Sequence, residues 1–378
     1  MEGSTSRLED VPLDLKKGRI SGTIGVFLGA LSVLGVLCFH FPEYLTTPEL
    51  RAVYDVEVMR YLLTGAMLLS AGLGGWAILR WGAKRIGFTA VCLTLLAVWL
   101  GGANVEVGEY EQPVVSFGLD WLVLALFANA LMFIFIERMW PHDKDQLTLR
   151  AEWRLDMVYY IFNHLMISVI LLVTTYFSQD LFGFAVHDGV QAAIRSQPVW
   201  LQFIEVLFVA DLTQYWGHRL MHENRYLWNI HAVHHCPARM DWLSGSRIHF
   251  GEVLFTRSTV ILPIYLLGFA ENAVNAYIVW VGIQGLLIHS NTSIPFGPLR
   301  YVFTTPHFHH WHHSADEEAI DRNYAANLPV IDMIFGTYIN NADRWPKAYG
   351  VVGKPLPHGF LAQHLYPFIA PPKPEKES

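Results

Sequence analysis

Twelve of the 18 histidines in this 378-residue chain lie between His218 and His313. Three sets have the spacing of metal ligands: His218-Arg-Leu-Met-His222, His231-Ala-Val-His234-His235 and His309-His310-Trp-His312-His313. Residues three or four apart on a helix share one face. His218 is therefore expected to point with His222, His231 with His234 and His235, and His309 with His312 and His313. Neutral imidazole is a good ligand for iron, copper, nickel or zinc. Eight imidazoles are too many for one ion, so the pattern predicts two metals. A histidine-rich solvated surface is the bland alternative, and the repeated i, i+3, i+4 spacing argues against it.

Other polar residues fall around these sets. His289 closes an apolar run and is expected to add a ninth ligand between the second and third sets. His249, in Ser246-Arg-Ile-His-Phe, is either a ligand or a support for one. His307 and His310 interleave with the third set and should face away from it. His40, His142, His187, His358 and His364 are isolated and read as surface or interface residues. His164 lies inside an apolar run, where it lines a cavity or makes a structural hydrogen bond. A ligating imidazole gives its other N–H to a carboxylate, carbonyl or water. Asp211, two helical turns before His218, is the preferred carboxylate for that role. Glu223, Asp241, Glu252 and Asp332 read equally well as helix-end or solvent contacts.

The elements that must position these residues are membrane helices. The composition is 53% hydrophobic and 16% charged, too apolar for an average soluble domain. Runs long enough to cross about 30 Å of hydrocarbon fall near 20–40, 61–79, 86–103, 115–136, 156–177 and 198–217. A closer pair follows at about 253–269 and 273–289, split by a short loop into a hairpin. Glu2, Glu9, Asp10 and Asp14 precede the first run, so it reads as a retained helix rather than a cleavable signal. Arg7, Lys16, Lys17 and Arg19, then Arg80, Lys84 and Arg85, then Arg138, Lys144, Arg150 and Arg154 mark alternate loops as cytoplasmic. That topology puts every histidine set on the cytoplasmic side. Cys38, Cys92 and Cys236 form no spaced set, which argues against a disulfide framework or a cysteine metal site. The net charge of −7 suggests no nucleic-acid partner. The expected fold is an all-α integral membrane protein, with multi-span helices capped by a cytosolic helical, histidine-rich dimetal domain. Residues 1–110 read as accessory N-terminal membrane helices, 115–350 as the catalytic core, and 351–378 as a C-terminal tail ending in a disordered Pro- and Lys-rich stretch.

The residues from about 200 to 340 resemble the fatty acid hydroxylase and sterol desaturase superfamily. The resemblance rests on Asp211-Leu-Thr-Gln-Tyr-Trp-Gly-His-Arg-Leu-Met-His222, Trp228-Asn-Ile-His-Ala-Val-His-His235 and Thr305-Pro-His-Phe-His-His-Trp-His-His-Ser314. A closing signature, Asn323 to Tyr338, supports it. The chain departs from the family where Ala325 replaces Gly, Ile331 replaces Trp, and Phe250 stands in place of a proline after His249. The resemblance implies a helical membrane fold, a dimetal site and O2-dependent attack on lipid C–H bonds.

The residue types suit that chemistry on their own. Two nitrogen-ligated irons, for which zinc could substitute, would supply the reductive activation of O2 that attack on an unactivated C–H bond requires. Hydroxylation of a fatty acyl, sterol, carotenoid or related lipid is favoured, and desaturation at the same site is the alternative. No Rossmann-type glycine fingerprint, haem-attachment motif or iron–sulfur cysteine set is present. An external electron donor, such as a ferredoxin, cytochrome or reductase, is therefore expected, together with a lipid substrate from the bilayer. The location implied is a bacterial inner membrane or the endoplasmic reticulum. Two readings of other classes remain: a zinc-binding membrane protein without O2 chemistry, and a metal transporter or sensor. Transport would require ionisable groups at mid-depth in several spans, and few are present.

Overall fold

The computed structural model describes residues 19–107, 115–339, 341, 344–353 and 355–370. The N-terminal acidic and basic residues before Arg19 and the tail from 371 to 378 lie outside them. Among the described residues the chain is helical, with no strand beyond two isolated bridges. It divides into two compact units, one of residues 11–127 and the other chiefly of 128–378.

In the first unit, α1 (Arg19–His40), α2 (Val56–Trp81) and α3 (Lys84–Trp99) pack on one another. Asp55 caps α2 by accepting from the Glu57 and Val58 N–H groups, and Gly82, at φ 64°, ends it. That positive φ is one that glycine adopts without strain. Small residues let the helices approach closely: a Cβ on Gly87 would lie 2.5 Å from the Gly74 carbonyl oxygen. Ser70 donates to the Gly25 carbonyl at 2.7 Å and accepts from Thr94 at 2.8 Å. Close backbones and interhelical hydroxyl bonds are how helices associate where apolar burial gives little drive. The boundary between the units falls within α4 (Leu119–Met139).

The second unit continues with α5 (Trp153–Leu165), α6 (Ile167–Phe182), α7 (Asp188–Arg195), α8 (Val199–Glu223), α9 (Leu227–His235), α10 (Phe250–Leu267) and α11 (Glu271–His289). Then come α12 (Pro306–His312), α13 (Val330–Phe335) and α14 (Phe360–Ile369). An apolar cluster of Val206, Leu207, Ala210, Val260, Phe269 and Tyr277 packs α8, α10 and α11 together. This packing fixes the ends of α8 and α11, where His218, His222 and His289 sit.

Six helices among the described residues are long and apolar enough to cross a membrane: 20–40, 56–81, 84–104, 119–139, 167–185 and 250–267. The all-α, multi-span fold is as expected. The predicted span 156–177 is corrected, because the helix is interrupted at Met166. The polar residues of α5 explain the break. Asp156 is fully buried against Arg150 and Arg247, and Asn163 donates to the Ser246 and Ile248 carbonyls. These bonds tie α5 to the loop that follows α9, and the apolar crossing begins only at Ile167. α8 and α11 are not among the six, since polar groups interrupt both. The stretch read as a tail includes α14, which packs on α9 and α5 and whose Gln363 accepts from the Tyr159 hydroxyl at 3.0 Å.

Candidate metal centre

Each histidine-bearing element has a local reason to be where it is. His218 and His222 occupy the last turns of α8. The Asn224 side chain then turns the chain by accepting from the Tyr226 and Leu227 N–H groups, which launches α9. α12 starts at Pro306, with the Thr305 hydroxyl accepting from the Phe308 N–H at 3.2 Å. Threonine before proline is a strong helix start. His289 is the last residue of α11.

These elements gather nine buried histidines into two groups. His218, His222, His231, His235 and His312 form one, and His234, His289, His309 and His313 the other; within a group the candidate ligand atoms lie within 4.8 Å of one another. All nine histidines expected as ligands are therefore brought together, His289 included. Their division differs from the same-face expectation. α9 sends His231 and His235 to the first group and His234 to the second, and the α12 segment sends His312 to the first and His309 and His313 to the second. A helix advances 100° per residue, so positions four apart stay together while the residue between them swings away. The groups adjoin at the stacked rings of His235 and His313, 4.3 Å apart.

The inward atoms are Nε2. His218 and His231 approach at 2.9 Å and His231 and His235 at 3.0 Å; in the second group His234–His289, His289–His309 and His309–His313 lie at 3.2, 3.0 and 3.1 Å. Adjacent nitrogens each about 2.1 Å from a shared ion would be about 3 Å apart in right-angled coordination. Four of the outward atoms are held by backbone carbonyls. His218 Nδ1 donates to the Tyr324 carbonyl (2.7 Å), His234 to Arg247 (3.1 Å), His289 to Gly285 (2.6 Å) and His312 to Arg322 (2.8 Å). Those bonds put the proton on Nδ1 and leave the Nε2 lone pair facing inward. The Nε2 of His312 is buried with no hydrogen-bond partner, an arrangement that a metal ion would satisfy. Burial, followed by the neighbouring imidazoles, holds His234, His235, His309 and His313 well below the ordinary histidine pKa; His312 is held low for the same reasons. The rings are thus neutral, the form that binds metal.

The supporting carboxylates are not the preferred one. Glu252, in the first turn of α10, accepts from His231 Nδ1 at 2.8 Å, and Asp321 lies 3.3 Å from His222 Nδ1. Glu252 carried no distinguishing spacing, and Asp321 is 99 positions from its histidine, so no sequence pattern marked it. Asp211 touches no histidine. It accepts from the Ala326, Asn327 and Leu328 N–H groups and from the Asn327 amide. It thereby holds the loop that presents the Tyr324 carbonyl to His218. Asp332 grips the same loop through the Tyr324 and Ala325 N–H groups. Ala325 and Ile331, two of the three departures from the family pattern, are fully buried beside Tyr215 and Tyr324. Asp241 pairs with Arg150 at 2.9 Å, and Glu223 with Arg219 at 2.8 Å.

His249 lies outside both groups. Its Nδ1 accepts from the Gly251 N–H to cap α10, and its Nε2 donates to the His364 carbonyl at 3.1 Å. His307 and His310 face away from the groups as expected, donating to the carbonyls of Arg344 and of Ser290. His142 and His364 are not isolated: His142 stacks on Trp345 at 3.8 Å and His364 on His249 at 4.7 Å.

Comparison with known proteins agrees with this constellation. A family model described as fatty acid hydroxylase matches residues 203–337, the stretch that carries the nine histidines. Ornithine lipid hydroxylase OlsE of Rhizobium tropici is 30% identical over 69% of this chain and 80% of its own length. The chain belongs to the fatty acid hydroxylase family. Other relatives of this hydroxylase family member are alkylglycerol monooxygenase of Danio rerio, 30% identical over 38% of this chain and 31% of its own, and methylsterol monooxygenase 1 of Rattus norvegicus, 26% identical over 57% and 73%. Hydroxylases and monooxygenases are oxidoreductases, and this family member is an enzyme of that class. No solved structure matches the chain.

Proposed function

We propose that this enzyme is a membrane-bound non-haem diiron oxygenase that uses O2 and externally supplied electrons to hydroxylate a C–H bond of a lipid, with its metal centre facing the cytoplasm. The observation that carries the reading is the five-plus-four division of buried, inward-facing imidazoles. Two all-nitrogen groups side by side suit two ions better than one, and iron supplies the redox chemistry with O2 that zinc does not.

His218, His222, His231, His235 and His312 would hold one ion, and His234, His289, His309 and His313 the other. The protein residues have separate tasks. The Tyr324, Arg247, Gly285 and Arg322 carbonyls and Glu252 keep the protons of His218, His234, His289, His312 and His231 outward. The packed helices α8, α10 and α11 exclude water and would hold the target carbon beside the centre. The overall change is R–H plus O2, two electrons and two protons to R–OH plus water.

A lipid substrate is supported by the names of the relatives and by the six long apolar helices. Ornithine lipids are the first to test, because the relative matched over 69% of this chain bears that name. Lipid mass spectrometry of cells with and without the gene, with a His234→Ala control, tests the function. A product gaining one oxygen that disappears in the control is expected. A product losing two hydrogens would make the enzyme a desaturase, and an unchanged lipid profile would defeat the proposal.

A further inference from the structure

Beside the second histidine group lies an aromatic array that the ligand set does not use. Trp345, half-buried, stacks one face on His142 with centroids 3.8 Å apart, and its ring contacts His310 edge-on at 5.2 Å and His307 at 4.9 Å. His310 is fully buried and fixed: Nδ1 meets the Tyr349 hydroxyl at 2.9 Å, while Nε2 donates to the backbone carbonyls of Ser290 (3.1 Å) and His289 (3.3 Å). One ring contact and one hydrogen bond therefore lead from Trp345 to the backbone of His289, whose own ring belongs to the second group. On the outer side, Asp316, Glu317, Glu318, Arg344 and Lys347 line a shallow surface depression. Arg344, one of these residues, precedes Trp345 in the chain and reaches its carbonyl at 3.4 Å, so the array meets the surface beside a rim of mixed charge, the polar margin that protein-docking surfaces carry.

We propose that a one-electron carrier protein docks on this depression, and that Trp345 and His310 carry its electrons to the edge of the second histidine group. The proposal rests on the oxygenase reading above, in which two electrons must enter per turnover. Delocalised rings in contact, continued by a hydrogen bond, couple electronically better than the saturated side chains around them.

The test uses the full-length, iron-loaded protein in lipid nanodiscs under anaerobic conditions. The rate at which a photoreduced plant-type ferredoxin is oxidised is compared with the rate of reduction by dithionite. Trp345→Leu, which takes the outer ring out of the route, is expected to slow ferredoxin oxidation about tenfold, and Trp345→Phe to restore most of it. Lys347→Glu should change the salt dependence of the ferredoxin rate. Dithionite reduction and iron content should stay at wild-type levels in all three. A wild-type ferredoxin rate in Trp345→Leu would overturn the route, and so would equal slowing with both reductants. Reduction of the wild type by dithionite but not by ferredoxin would overturn the partner class alone. Reduction by neither would overturn the redox-iron reading and this route with it.

Discussion

At the scale of single residues, the ligands and their supports differ in how they could be read. Eight of the nine histidines announced themselves because helical spacing is local and imidazole has few reasons to recur at i, i+3 and i+4; His289 was marked only by closing an apolar run. Their outward partners did not, because a hydrogen bond from His222 to Asp321 or from His218 to the Tyr324 carbonyl joins residues 99 and 106 positions apart. Glu252 is the clearest test of those partners. Glu252→Leu removes the acceptor for His231 Nδ1 and should weaken metal binding about 10–100-fold, the usual loss for such a partner, measured by chelator competition on the purified protein. Asp321→Asn, at a longer contact, should lose less. The buried neutral rings also set a pH dependence. His234, His235, His309, His312 and His313 have folded pKa values below the unfolded one, so the unfolded chain binds more protons as pH falls. In the metal-free protein their contribution to stability is fully present above about pH 6.5, the unfolded imidazole value, and declines as pH drops below it. Thermal unfolding between neutral and mildly acid pH should show a falling Tm, offset in part by Asp241 and Asp332, whose pKa values burial raises and whose contribution has the opposite sign; a Tm that rises as pH falls would contradict rings buried as neutral groups.

At the scale of elements, two short helices do work that the same-face argument did not foresee. α9 and the α12 segment each serve both groups, because neighbouring histidines diverge by 100° while those four apart converge. Their placement depends on loops held by buried carboxylates. Asp211→Ala would leave three backbone N–H groups and the Asn327 amide without their acceptor, at about 1–3 kcal/mol for each buried unsatisfied group. The expected result is a sharply lowered Tm together with lost metal, since the Tyr324 carbonyl no longer orients His218. Arg247 is the equivalent on the other side: its guanidinium is buried on Asp156 and Glu152 while its carbonyl accepts from His234. Arg247→Leu leaves Asp156 with Arg150 alone and removes the guanidinium from Glu152, and breaking this buried ion pair should cost about 3–5 kcal/mol, read by chemical or thermal unfolding. Apolar runs marked most helices well, but run length misread 156–177. There hydropathy continues through Met166 while Asp156 and Asn163 bond to a loop some ninety residues on, and a linear pattern contains no sign of that loop.

At the scale of the whole molecule, the chain combines long apolar helices with a buried all-imidazole centre, and each is intelligible through the other. In the proposed function a lipid's unactivated C–H bond would be reached from the bilayer, and the oxidising chemistry would be confined among packed helix ends. Because the proposed centre would draw its ligands from α8, α9, α11 and the α12 segment, metal binding should act as a clamp on the fold. Removing it with a chelator should lower Tm, by an amount corresponding to about 4 kcal/mol where free metal had stood a thousandfold above its dissociation constant. The most direct test of the central claim is elemental analysis of the purified protein, made for the wild type and for His312→Ala and His309→Ala, one variant from each group. Two irons per chain in the wild type and about one in each variant is the result expected. A single ion per chain, or zinc with turnover that needs no O2, would contradict the account.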